Sequence, residues 1–283
     1  MIYQNYLKKI INNKFRISLL YKLKNKEFYK LINDNKKIFA KIYLSKYTKK
    51  ISLNEFDAYK YYKKKKQINI PKIIFFKKNS KFNVLLLEYI EAQSYKKNYF
   101  RLFNYYKLPG RKNSKKICLN KYLDKYFINL NNFQKNIKYK LIKKYKNKKI
   151  LQTASHGDLI YYNLLTKKKI NYFIDFEFFS KNRSLYFDLL NWFIVPIITT
   201  LIRYKISKLI ILFPIFFLKI IFYFIKKNIT IKNFSIFKMY FNIFLFEKLI
   251  LMENVFLENK YVNKKDKLRN QIINILKKIL LTV

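Results

Sequence analysis

The side chains best suited to do chemistry lie close together in this sequence. Ser155-His156-Gly157-Asp158-Leu159 is followed by Asn163, then by Asp175-Phe176-Glu177, and then by Asp188. His156 is the single histidine among 283 residues, and Gly157 is one of two glycines. Their adjacency to an aspartate therefore stands out from the background composition. Two short apolar runs within Tyr161 to Glu177 flank Lys167-Lys168-Lys169, which predicts a hairpin pairing 162–166 with 171–175. A register centred on Lys169 places Asn163 opposite Asp175, roughly 4.5–5.5 Å away across the strands. An amide oxygen and a carboxylate at that spacing can share a hard divalent cation such as Mg²⁺, which keeps waters or phosphates in its other positions. Asp158, on the loop before the hairpin, is then placed to face a substrate hydroxyl and take its proton.

The elements that must position these groups fall into two regions. Residues 14–90 read mainly as strands: Arg16 to Leu23, Glu27 to Asn33, Lys36 to Leu44, the run from Pro71 to Phe76, and Phe82 to Tyr89. Asp34-Asn35 and Asn79-Ser80 supply turn signals. Ser52 to Lys66 reads as a helix opened by Ser52, with Glu55 three residues on as a capping box. After Glu91 the pattern is mostly helical apart from the 161–177 hairpin, and from Leu185 onward it reads as several apolar helices. The expectation is two domains, 1–90 and 91–283.

The His-Gly-Asp-Leu segment, with Asn163 and Ile174-Asp175-Phe176-Glu177, closely resembles the catalytic segment of the aminoglycoside phosphotransferase and choline kinase superfamily. By that resemblance Asp158 is the catalytic base, and Asn163 and Asp175 bind Mg²⁺. The choline-kinase-like extension continues through Asn182, Phe187-Asp188-Leu189 and Asn191, with Asp188 bracing the catalytic loop. Further back, Asn25-Lys26-Glu27-Phe28-Tyr29-Lys30 resembles the nucleotide-loop segment, though without a glycine, so phosphate binding there falls to backbone N–H groups and to Lys24 or Lys26. Phe39-Ala40-Lys41-Ile42-Tyr43 resembles the strand whose basic residue contacts ATP phosphates. On a strand, Lys41 shares a face with Phe39 and Tyr43 and opposes Ala40 and Ile42. Asn54-Glu55 resembles the helix acid that pairs with that lysine. Leu87-Glu88-Tyr89-Ile90-Glu91 resembles the hinge, so Glu88 and Ile90 would hold adenine through their backbone. The resemblance covers most of residues 20–195. It implies an α+β, bilobal, protein-kinase-like fold: a small antiparallel sheet lobe with one helix, then a mainly helical lobe, with ATP and Mg²⁺ in the cleft. It also implies phosphoryl transfer to a hydroxyl, first of choline or a related amino alcohol, with a sugar of a surface glycan or lipopolysaccharide as the alternative acceptor.

Each of these residues also has a plainer reading. Asp158 could cap a turn, Asn163 and Asp175 could be a polar hairpin pair, and Lys41 could be one more solvated lysine. Glu55 could serve only its capping box. Trp192 could be a core residue or one wall of an aromatic cation box. A catalytically dead kinase-fold binding protein is the reading that the glycine-free nucleotide segment favours.

Composition narrows the classes further. Two glycines and four prolines exclude collagen-like chains, Gly-rich phosphate loops and dinucleotide fingerprints. A hydrophobic fraction of 51% excludes a fully disordered chain. The net charge of +47 comes from 62 Lys+Arg against 15 Asp+Glu, and suggests a polyanion binder. Arginine, however, occurs only at Arg16, Arg101, Arg111, Arg183, Arg203 and Arg269. The abundance of Lys, Asn, Ile, Phe and Tyr beside scarce Gly, Pro, Ala and Arg follows A/T-rich codons, so much of this charge reads as drift onto solvated faces. No specific nucleic-acid partner is expected, since base and phosphate readers favour Arg. Loose attraction to anionic membranes or phosphorylated ligands follows from such a surface. A single cysteine, Cys118, permits no intramolecular disulfide and suits a reducing, cytoplasmic setting. Met1 to Phe15 shows no secretory signal. Leu209 to Ile225, the longest apolar region, is interrupted by Pro214 and Lys219 and reads first as a buried helix, second as a membrane-surface helix.

Overall fold

The structure, a computed structural model, describes residues 2–11, 14–66, 68–94, 114–168, 170–205, 214–226, 233–258 and 264–282. The chain divides into two compact units: residues 1–99 with 160–180, and residues 100–159 with 181–283.

The first unit is built on helix α1 (Ile2–Ile10), strands β1 (Arg16–Leu23), β2 (Lys26–Ile32) and β3 (Lys37–Tyr43), helix α2 (Lys46–Lys65), and strands β4 (Ile73–Lys77) and β5 (Asn83–Glu88). The strands form one antiparallel sheet in the order β1-β2-β3-β5-β4. The two-residue periodicity of β3 separates its faces. Ile38, Ala40 and Ile42 join Leu7 of α1, Leu31, Val84 and Leu86 in a buried core, whereas Phe39 and Lys41 line a cavity on the other face. The turn between β2 and β3 is closed by Asn33, whose Oδ1 accepts from the N–H groups of Asn35 and Lys36. Helix α1 carried no start signal and was not expected.

Helix α2 begins about two turns earlier than its sequence suggested. Its N-cap is Ser45, whose hydroxyl accepts from the Thr48 N–H while the Thr48 side chain answers the Ser45 N–H. Ser52 and Glu55 are therefore interior helix positions, and the capping box assigned to them does not exist. Glu55 is fully buried, and its partners are Lys41 and Tyr43 on the sheet and Tyr59 on its own helix.

The hairpin of the first unit pairs Leu164–Lys167 with Ile170–Phe173, and Gln93–Ser94 adds a short third strand. Its register is one residue off the expected one. Ile170 pairs with Lys167, so two residues close the turn instead of a single central one. Lys168 takes a left-handed φ of 47°, the conformation that two-residue hairpins demand. Asn163 consequently sits opposite Ile174, whose N–H donates to the Asn163 carbonyl at 3.0 Å. The predicted cross-strand pairing of Asn163 with Asp175 is thus replaced by a diagonal relation.

In the second unit, Lys149–Ser155 is the middle strand of a three-stranded sheet, flanked by Lys115–Cys118 and Ser180–Ser184. None of these strands was expected. The helices Leu119–Tyr126, Asn132–Lys144, Phe187–Arg203, Pro214–Ile225, Phe234–Glu258 and Lys264–Leu281 complete it. Their core gathers Leu123, Leu141, Phe187, Phe237, Phe244, Leu249 and Leu276. Of the long apolar region, 214–225 forms the helix that opens at Pro214, while 209–213 lies outside the described residues. That helix buries Leu218 and Ile221 and exposes Phe216 and Tyr223. Among the described residues, no helix is long and apolar enough to cross a membrane.

Candidate functional site

In the first unit a cavity of about 570 Å³ is lined by Leu23, Lys26, Phe39 and Lys41 from the sheet, by Glu88, Tyr89 and Ile90 after β5, and by Asn163, Asp175 and Glu177. It therefore contains Lys41, Glu88, Ile90, Asn163 and Asp175, all singled out from the sequence. A cavity of this size suits a nucleotide-sized ligand.

The polar wall of that cavity is a charge network. Lys41 Nζ donates to both Glu55 oxygens, at 2.8 and 3.1 Å, and to Asp175 Oδ1 at 2.6 Å. The lysine side chain is 6% exposed and that of Glu55 is 0% exposed, so this is no surface ion pair. Tyr43 and Tyr59 also donate their hydroxyls to Glu55, completing a shell of donors around a carboxylate that water does not reach. Burial pulls the Lys41 ammonium down, but the charges of Asp175 and Glu55 outweigh it and hold the group well above its ordinary value.

A second lysine repeats the motif. Lys26 Nζ lies 2.5 Å from each Glu177 oxygen. Burial raises the Glu177 carboxyl, the neighbouring Asp175 charge raises it further, and Lys26 and Lys41 oppose both, leaving it at about 7. Oxygens of Glu55, Asp175 and Glu177 lie within 4.8 Å of one another. Glu55 is engaged by Lys41 and the two tyrosines, Asp175 by Lys41, and Glu177 by Lys26. Asp175 adopts a left-handed φ of 66°, a region that non-glycine residues enter at a cost and that clusters at functional sites.

In the second unit the loop 155–159 is held from behind. Asp188 Oδ1 accepts from Ser155 Oγ at 2.8 Å and from the Gly157 N–H at 2.9 Å, and its Oδ2 accepts from the His156 N–H at 2.7 Å. Gly157 has a φ of 86°, where a Cβ would clash, which explains a glycine in a chain that has so few. The Asn191 amide donates to the Leu159 carbonyl at 3.0 Å and closes the far end of the loop. His156 is fully buried. Asp158 is presented at the tip with its side chain 31% exposed, and Lys248 Nζ lies 3.0 Å from its Oδ1.

Among the residues of these networks that went unassigned in the sequence are Glu177, Lys248, Tyr43 and Tyr59. Glu177 is two residues after Asp175, and a second acid so close to it, in a chain with 15 acids in all, carried its signal. Lys248 stands with Glu247 in the middle of an otherwise apolar run, and charges in such a run must be paired if buried. Trp192 is a buried side chain of the second unit.

No protein-family model matches the sequence, and no curated protein sequence matches it. Solved structures do. Choline kinase LicA from Streptococcus pneumoniae matches with a TM-score of 0.65 at 16% identity over 100% of both chains. A putative fructosamine-3-kinase from Haemophilus somnus matches with a TM-score of 0.57 at 13% identity, covering 95% of this chain and 96% of that one. The GDP complex of an aminoglycoside 2'-phosphotransferase matches with a TM-score of 0.57 at 10% identity, over 99% and 97% of the two chains. The protein thus has the mixed, antiparallel-sheet, protein-kinase-like fold of these small-molecule kinases.

Proposed function

We propose that the protein is an ATP-dependent phosphotransferase acting on a hydroxyl of a small molecule. The observation that carries this reading is the buried Lys41 ammonium gripped by Glu55 and Asp175 on the wall of a nucleotide-sized cavity, in a chain with the fold of small-molecule kinases.

Nucleotide binding is assigned to the first unit and acceptor binding to the second. The backbone of Glu88 and Ile90 receives the adenine, and Lys41 neutralises the phosphates. The oxygens of Asn163 and Asp175, with Glu177 beside them, are hard donors of the kind Mg²⁺ takes, and two lysines balance their charge. Bound there, Mg²⁺ would supply charge neutralisation of the phosphates. Asp158 accepts the acceptor's hydroxyl proton as that oxygen bonds to the γ-phosphorus. The bond to the bridging oxygen breaks, and ADP leaves with the electron pair. Such chemistry is mainly positioning and charge stabilisation, and Asp188 does the positioning of the Asp158 loop.

Choline or a related amino alcohol is the first acceptor. The extension from Ile174 to Asn191 and the likeness to choline kinase LicA support it. A sugar hydroxyl of a surface glycan or lipopolysaccharide is the second, supported by the basic surface and the exposed Phe216 and Tyr223, which suit a cytoplasmic enzyme that meets an anionic membrane. The glycine-free turn between β1 and β2 supports a binding protein without turnover as the remaining reading.

Transfer of labelled phosphate from ATP, screened across amino alcohols and sugars, tests the proposal. Asp158→Asn should keep ATP binding by calorimetry and lose turnover by about 10²–10⁴-fold. Full turnover in that variant would remove Asp158 from the mechanism, and ATP binding without transfer to any acceptor would select the binding protein.

A further inference from the structure

We infer that Lys248 is a positioning residue for the proposed base, fixing the Asp158 carboxylate in the orientation from which it accepts the acceptor's proton. The inference rests on the phosphotransferase reading.

Lys248 belongs to the helix Phe234–Glu258, where its flanks Phe246, Leu249 and Ile250 are core residues. Its side chain is 6% exposed. An ammonium in such surroundings is costly unless it meets an opposite charge. The adjacent Glu247 does not supply one. Successive helix residues point in different directions, and Glu247 instead accepts from Ser184 Oγ at 2.6 Å and from the Tyr122 hydroxyl. Lys248 meets Asp158, at 3.0 Å.

The asymmetry of the pair indicates a tether. Lys248 is inside and held by a helix backbone, whereas Asp158 sits 31% exposed on a loop. The helix thus dictates where the carboxylate points, and Lys248 engages one identified oxygen, Oδ1. Other charged or titratable groups also lie around Asp158. Asp188 is bound to the loop's Ser155 hydroxyl and to the N–H groups of His156 and Gly157. His156 Nδ1 faces the Asp158 N–H at 3.4 Å. Arg183, on the strand Ser180–Ser184, lies over the Phe187 ring and feels both Asp158 and Asp188. Asp188 accepts from the loop backbone, and Lys248 contacts the side chain at its tip. A base misplaced by about 1 Å can cost about 10²-fold in rate.

The test compares wild type with Lys248→Met and Lys248→Arg in steady-state phosphate transfer and in crystal structures. Lys248→Met should lower kcat by about 10–100-fold with the KM for ATP essentially unchanged. Its Asp158 carboxylate should leave the wild-type orientation, and Lys248→Arg should recover most of kcat. Lys248→Gln replaces the Met variant if that one does not fold. Unchanged kcat, an Asp158 carboxylate that stays in place, or an Arg variant as slow as the Met variant would each overturn the inference. Absence of transfer by wild type to any acceptor would defeat the phosphotransferase reading alone, since the crystallographic comparison still decides whether Lys248 holds Asp158.

Discussion

Replacing Lys41 with methionine keeps a stem of similar length and deletes one buried cation. What remains is Glu55, with no exposed surface and only the Tyr43 and Tyr59 hydroxyls as donors. Asp175 loses its 2.6 Å partner as well, but its side chain is 39% exposed and water can replace the ammonium. The cost therefore falls on Glu55. Breaking a buried pair by removing one member typically costs about 3–5 kcal/mol, a large part of the ~5–15 kcal/mol that a domain of ordinary stability possesses. At roughly 2 °C per kcal/mol for a chain of this size, the melting temperature should fall by ~6–10 °C. Replacing the second member too should return most of the loss, because buried pairs exchanged for apolar groups are often neutral. Lys41→Met/Glu55→Leu should thus be more stable than Lys41→Met. Urea unfolding followed by circular dichroism on wild type, both single variants and the double variant gives the coupling energy directly. A Lys41→Met loss below about 1 kcal/mol, or a double variant no better than the sum of the singles, would refute the buried-pair argument.

Two further outcomes follow from the charge distribution. A carboxyl at about 7 in the folded chain, against 4.5 ordinarily, binds its proton more tightly when folded. Its stabilising contribution is complete below pH 4.5 and is lost as pH rises towards 7, with a slope on the order of 1.4 kcal/mol per pH unit. Glu177→Gln should flatten that part of the stability profile measured without nucleotide or metal, and an unaltered slope would remove Glu177 as its source. The exposed Phe216 and Tyr223 beside Lys219 and Lys226 should carry the protein down with liposomes rich in anionic lipid at physiological salt, and Phe216→Ser/Tyr223→Ser should leave more of it in the supernatant; equal sedimentation of both would leave net charge as the sole cause.

The first unit was the more legible. Alternation in β3 put Lys41 on the face opposite Ala40 and Ile42, and the turn residues Asp34-Asn35 and Asn79-Ser80 delimited the strands on either side. The helix start was misplaced because Ser45 and Ser52 are both competent caps. Glu55 completed the false box only because an acid was needed there for Lys41. The hairpin register slipped by one residue because three consecutive lysines give no indication of which of them turn. The strands of the second unit were obscured for another reason. Ser180–Ser184 reads Ser-Lys-Asn-Arg-Ser, the composition of a loop, and the buried positions of Lys149–Ser155 include Gln152 and Ser155. Their pairing is a tertiary fact with no local hydrophobic pattern. Lys248 had a signal in the apolar run around it, but only its burial separated it from so many other lysines.

The left-handed backbone at Asp175 constrains how that position can be probed. Under the proposed metal role two demands coincide there, an oxygen donor on the side chain and tolerance of a conformation that β-branched residues refuse. Asparagine meets both and alters only the charge, glycine meets only the second, and valine meets neither. A silent valine or alanine variant would therefore report a reshaped chain as much as a missing carboxylate, and the informative comparison at this residue is between asparagine and glycine.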